Sequence, residues 1–98
     1  MLNLKELNKK YVGKEVICEE HKNARISELT SYQIEIKADD GWWVYKTGTG
    51  EKDNAVAMGS IQFADAALQK EFIEEYEQYV NSEEGCVEAW LYYAQVYD

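Results

Sequence analysis

Apolar residues recur along this chain with two different periods, and the changes of period mark its elements. Leu4, Leu7 and Tyr11 fall at helical spacing behind Asn3, a residue suited to cap a helix, and predict a short first helix over about 3–11. Gly13 ends it. Lys14-Glu-Val-Ile-Cys-Glu20 reads as a first strand and His21-Lys-Asn-Ala24 as a turn. Arg25 to Lys37 is a long strand candidate. Tyr32, Ile34 and Ile36 share one face while Gln33, Glu35 and Lys37 share the other, which predicts one long, half-exposed strand. Asp39-Asp40-Gly41 is a hairpin signal, and Trp42-Trp-Val-Tyr-Lys46 supplies the partner strand. A polar loop follows over 47–54. Ala55 to Phe63 reads as a fourth strand, with Gly59 suggesting a bulge.

The helical period returns after Asp65, a second suitable N-cap, and predicts a long helix from Ala66 to about Asn81. At roughly 100° per residue, Leu68, Phe72, Ile73, Tyr76, Tyr79 and Val80 fall in one arc and Glu71, Glu74, Glu75 and Glu77 in the opposite one. Ser82-Glu-Glu-Gly85 predicts a break, and Cys86 to Tyr97 a last helix. Its expected inward arc holds Cys86, Val87, Trp90, Leu91, Tyr93, Ala94 and Tyr97, leaving Tyr92 and Val96 outside beside Glu88. Sequential strands joined by short turns pair antiparallel, and helices grouped at the end of the chain cover one face. The expectation is therefore a single α+β domain over 1–98. A short helix precedes an antiparallel sheet of about four strands, which two C-terminal helices cover.

Charge sharpens this picture. Residues 1–50 carry eight Lys/Arg and eight Asp/Glu, whereas residues 51–98 carry two Lys and eleven Asp/Glu, so the whole formal charge of −9 belongs to the second half. Such asymmetry concerns partners rather than fold. It favours cationic surfaces and opposes direct contact with nucleic acid or anionic membrane. A hydrophobic content of 46% with 13% aromatic residues separates the chain from the disordered class, which combines high net charge with few aromatics. The opening Met1-Leu-Asn-Leu-Lys5 is polar again by Asn3 and predicts no leader, and no run approaches a membrane span. A cytoplasmic protein with Cys18 and Cys86 reduced is the expectation.

The sequence offers little catalytic chemistry. Cys18-Glu-Glu-His21 has half of a zinc-ligand spacing, but His21 is the only His and Cys86 the only other Cys, so neither a zinc site nor a Cys–His nucleophile is expected. Gly48-Thr-Gly-Glu-Lys52 lacks the spacing of a phosphate loop, and Asp39-Asp40-Gly41 lacks the ligand ladder of a calcium loop. No cofactor, metal or enzymatic activity is expected. Attention falls on the surface. Glu71, Glu74, Glu75 and Glu77 are helical neighbours with only Lys70 mixed in, and Glu83, Glu84 and Glu88 extend the patch. These seven carboxylates form either a solvated face or a docking surface for a basic groove. Adjacent Trp42 and Trp43 point to opposite faces of a strand. Trp43 is carried as the outward member, although the sequence does not decide between the two, and Tyr92 is a second outward aromatic anchor.

The leading expectation is a small acidic inhibitor that docks on the basic nucleic-acid-binding site of another protein. Phage-borne blockers of restriction or CRISPR nucleases offer an analogy of composition. The alternatives are an immunity- or antitoxin-type protein bound to a toxin enzyme, a structural subunit that self-associates through its aromatics, and, third, an enzyme with an unrecognised carboxylate site in a concave pocket.

Overall fold

The computed structural model describes residues 1–47 and 59–97. The chain begins with helix α1 (Leu4–Tyr11). Asn3 caps it through a reciprocal pair of bonds: its side chain accepts from the Glu6 N–H, and the Glu6 carboxylate accepts from the Asn3 N–H. Gly13, at φ +90°, turns the chain into a short strand β1 (Ile17–Cys18).

The expected long strand over 25–37 is two strands. β2 (Arg25–Leu29) and β3 (Gln33–Ala38) form an antiparallel hairpin about Thr30-Ser31-Tyr32. The Thr30 hydroxyl accepts from the Gln33 N–H at 3.1 Å, and the Thr30 N–H donates to the Gln33 carbonyl at 3.0 Å. Side chain and backbone together close a turn whose sign in the sequence is Leu29, out of phase with Ile26 and Ile34. Asp39-Asp40 then connects β3 to β4 (Gly41–Lys46), with Gly41 at φ +128° taking the left-handed position of the turn. The sheet order is β2-β3-β4.

Of the polar loop expected at 47–54, positions 48–54 lie outside the described residues; among the described residues of the expected fourth strand only Ile61–Gln62 (β5) is extended, and it pairs with β1 in a separate two-stranded sheet. Gly59 sits in a helical turn rather than at a bulge within a strand, and positions 55–58 of the expected fourth strand also lie outside the described residues. Helix α2 (Ala66–Val80) starts at Asp65, whose carboxylate accepts from the N–H groups of Ala67 and Leu68. Helix α3 (Glu83–Tyr97) starts earlier than Cys86, because Ser82 caps it: the Ser82 hydroxyl accepts from the Gly85 N–H at 3.0 Å. The protein is thus a single α+β unit, with a three-stranded and a two-stranded antiparallel sheet in place of one four-stranded sheet.

The core lies between the inward face of the main sheet and α1 and α2. Ile26, Leu29, Ile34 and Ile36 supply the sheet side; a slip of register between Ile26 and Glu28 keeps both Ile26 and Leu29 inward. Tyr11, Phe63, Phe72 and Tyr76 supply an aromatic layer, with Tyr11 edge-on to Phe72 at 5.0 Å and Phe72 stacked with Tyr76 at 5.5 Å. The Tyr76 hydroxyl donates to the Thr30 carbonyl at 2.5 Å and lies 2.7 Å from the buried Thr47 hydroxyl, so α2 is tied to the β2–β3 turn.

Candidate functional site

The seven candidate carboxylates divide by the work they do inside the molecule. Glu71 and Glu75 stand one helical turn apart on α2 and both accept from the Lys10 ammonium of α1; Glu75 accepts from the Tyr11 hydroxyl as well. Burial opposes the ionised form of Glu75, yet the bonds from Lys10 and Tyr11 outweigh it and hold its carboxyl below the usual range. The bonds that Lys10 donates to Glu71 and Glu75 push its ammonium up in turn. This cluster clamps α1 to α2. Glu88 is also turned inward. It accepts from the Ser31 N–H at 2.7 Å and from the Tyr79 hydroxyl at 3.2 Å, which ties α3 to the β2–β3 turn and to α2. Burial and the nearby Glu88 charge push Tyr79 up to about 12.

Glu74, Glu77, Glu83 and Glu84 are exposed and make no ion pair with any described residue. Glu83 and Glu84 line one shallow concavity with Val87, Glu88 and Leu91 on α3. Glu74 and Glu77, on α2, line no part of it.

The orientation of α3 keeps Tyr93 inward as expected but turns Cys86, Val87, Trp90 and Leu91 outward and Tyr92 inward, against the sequence expectation. Its inward side carries Gly85 and Ala89, buried, with Glu88, Tyr92 and Tyr93 half-buried. Its outward side carries Val87, Trp90 and Leu91, which are 50%, 69% and 50% exposed, and Cys86 is exposed there too. A Cβ built on Gly85 would lie 2.0 Å from the Tyr79 carbonyl oxygen. Only glycine lets α3 approach the end of α2 so closely, and this contact fixes which side faces in. A hydrophobicity pattern puts the bulkiest apolar residues inside; the backbone contact demands the smallest ones there instead. The i,i+4 pair Gly85/Ala89 is the sequence signal that could have revealed this.

The aromatic candidates are rearranged as well. Tyr92 stacks on Tyr32 at 3.8 Å with the rings 5° from parallel, so it is a packed residue rather than a free anchor. Trp43 is 39% exposed, stacks on His21 at 4.3 Å and donates from Nε1 to Asp40 at 3.1 Å. Asp40 also lies 2.7 Å from His21 Nδ1, and that bond is the chief reason its carboxyl sits below the usual range. Trp42, on the opposite face, is the more open of the pair at 58%, and the Lys37 ammonium lies 4.9 Å from its ring.

No group of three or more His, Cys, Asp or Glu among the described residues is placed to hold a metal ion, and among them no helix is long and apolar enough to cross a membrane. Comparison with known proteins found no matching family model, curated protein or solved structure. The candidate site is defined by its own chemistry. It is a stripe of three large apolar side chains at i, i+3 and i+4 on α3, edged by the two unpaired carboxylates Glu83 and Glu84. Residues 65–97 around it carry eight carboxylates and one Lys.

Proposed function

We propose that this chain is a protein-binding module that docks through the outward face of α3 on a basic surface of another protein. We further propose that it acts by occupying a nucleic-acid-binding site there. The observation that carries this reading is the exposed Val87–Trp90–Leu91 stripe beside Glu83 and Glu84. Contiguous exposed apolar side chains at helical spacing are the form in which a helix is recognised by a groove. A tryptophan at the centre of such a stripe is the residue type that most often dominates binding energy, with losses of about 2 kcal/mol or more on truncation. The carboxylates set the sign of the partner: they reward Lys and Arg at the rim and reject phosphate. Glu74 and Glu77 add to the long-range field. Glu71, Glu75 and Glu88 act within the fold and support the surface indirectly. A cytoplasmic setting fits the two free thiols. The mechanism is steric and electrostatic, and no bond is made or broken.

The test begins with capture from a host-cell lysate and purification of the captured protein. Duplex DNA is then titrated against the complex. The reading expects DNA and this chain to compete for one site. It expects affinity to fall between about 50 mM and about 500 mM salt as the Debye length shrinks. Trp90→Ala, and Glu83→Lys with Glu84→Lys, should each weaken binding by about tenfold or more. A partner that binds DNA and this chain simultaneously, or one indifferent to all three substitutions, overturns the proposal.

A further inference from the structure

The two edges of the main sheet are finished differently. The outer edge of β2 is sealed. The Gly13 N–H donates to the Ile26 carbonyl at 2.8 Å, the Ile26 N–H to the Lys14 carbonyl at 3.1 Å, and the Val16 N–H to the Ala24 carbonyl at 2.9 Å. Asn8 of α1 completes the seal as a side-chain stand-in for a strand: its Nδ2 donates to the Leu29 carbonyl at 2.9 Å and its Oδ1 accepts from the Leu29 N–H at 3.0 Å. The outer edge of β4 has no such cover among the described residues. The Thr47 N–H bonds the Tyr32 carbonyl at 2.7 Å, and antiparallel ladders alternate, so Tyr45 and Trp43 turn their backbone groups to β3 while Trp42, Val44 and Lys46 turn theirs outward. On this open edge Trp42, Trp43 and Val44 are three consecutive exposed apolar residues. Natural edge strands are usually protected against such a combination, because it templates pairing with another strand.

We propose that β4 pairs antiparallel with β4 of a second copy, about a two-fold axis through Val44. The strand is self-complementary in that register. Val44 meets Val44 of the partner at the axis, Trp42 meets the partner's Lys46 on the solvent face, and Trp43 meets the partner's Tyr45 on the other. The first face gains a cation–π contact of the kind Lys37 already makes with Trp42 at 4.9 Å, now from the opposite side of the ring. The second gains an aromatic cross-strand pair. Residues of β3 stay apart: with strands about 4.8 Å from one another, the two copies of Glu35, level with the axis, are separated by about 14 Å, and those of Lys37, offset along the strand as well, by about 20 Å, both beyond a physiological Debye length. A closed two-fold contact of this kind ends at a dimer rather than a filament. The α3 face, by contrast, does not suit a second copy head-on, since it would oppose Glu83 and Glu84 to themselves. The dimer is independent of the function proposed for that face.

Sedimentation velocity reads the prediction directly. The mass should rise from the 11.4 kDa monomer toward its double between about 5 µM and about 500 µM, as a small interface demands. Each copy carries a charge of −9, so association should tighten, not weaken, as salt is raised. Val44→Lys, which sets two like charges at the axis on an exposed position, should weaken the dimer by about tenfold or more with unchanged circular dichroism. In a Cys86→Ser background, Val44→Cys should oxidise to a covalent dimer far faster than Gln78→Cys on the exposed side of α2. The proposal is overturned by a monomer at every concentration, by a dimer that Val44→Lys leaves intact, or by equal oxidation at positions 44 and 78. Association that salt weakens and Trp90→Ala abolishes also overturns it, in favour of a contact made through the acidic α3 face.

Discussion

Gly85→Ala is the substitution whose sign most sharply tests how α3 is held. In a helix alanine is ordinarily better than glycine, by about 0.8–1.0 kcal/mol in the interior and by at most that in the first turn, where Gly85 sits. Here the new Cβ would stand 2.0 Å from the Tyr79 carbonyl oxygen and 2.9 Å from its carbon, both backbone atoms. That oxygen is itself held: the Ser82 N–H donates to it at 3.0 Å and the Ser82 hydroxyl at 2.6 Å. Neither side can yield cheaply, so α3 must back away by more than about 1 Å to reach ordinary van der Waals separation. The retreat costs the charge-assisted bond from the Ser31 N–H to Glu88, worth about 1.5–3 kcal/mol, and loosens the Tyr32–Tyr92 stack, worth about 0.5–1.5 kcal/mol. Set against the gain in propensity, the variant should be destabilised by about 1–3 kcal/mol. In a domain of this size that lowers Tm by about 5–15 °C. Urea unfolding followed by circular dichroism measures it, with Gly59→Ala as the control because a Cβ there meets nothing within 4 Å. A Gly85→Ala protein more stable than the parent by about 1 kcal/mol would show that α3 does not sit on α2 as described, and the outward placement of Trp90 would fall with it.

Three further outcomes are expected. Glu75→Gln should cost about 1–2 kcal/mol at neutral pH. Because the folded carboxyl lies below its ordinary 4.5, the parent keeps this contribution above about pH 4.5 and loses it as pH falls through the folded value; the variant should have a flatter acid limb in urea titrations, and an unchanged limb contradicts the α1–α2 clamp. In alkali the sign reverses: Tyr79 moves from 10.0 up to about 12 through burial and then Glu88, and burial also raises Tyr11 and Tyr76, so their contributions are complete below pH 10 and lost as pH rises through the folded values. Tyrosinate absorbance and loss of helix should then rise together above pH 10, whereas tyrosines ionising near pH 10 in an intact fold would refute the burial argument. A thiol reagent should modify Cys86 at once and Cys18 only after unfolding, because Cys18 is buried, lies 2.8 Å from the Tyr45 hydroxyl and has its thiol pushed up by burial; two rapid equivalents under native conditions would contradict that packing.

Local chemistry determined much of this protein without reference to anything distant. Asn3 and Asp65 start helices because their own side chains bond the first free N–H groups, and Asp39-Asp40-Gly41 makes its hairpin from its own backbone preferences. The alternation of Ile34 and Ile36 and the helical arc of Phe72, Tyr76, Tyr79 and Val80 likewise gave the right buried faces. The charge asymmetry between the two halves is a property of composition alone.

The tertiary structure decided what depended on who meets whom. The alternation is strict only over 32–37; Leu29 is already out of phase with Ile26 and Ile34, and the bonds of Thr30 to Gln33 and to Tyr76 on α2 are what make Thr30-Ser31-Tyr32 a turn. Glu71, Glu75 and Glu88 look like members of one acidic face, yet Tyr11, Ser31 and Tyr79 come from other elements and turn Glu75 and Glu88 inward, while Lys10 pairs with Glu71, which stays exposed. The face of α3 was decided by a backbone contact at Gly85. Hydrophobic periodicity ranks side chains by their cost in water, but close helix contact selects for the absence of a side chain. Where the two conflict, the contact prevails, and Val87, Trp90 and Leu91 are left facing outward.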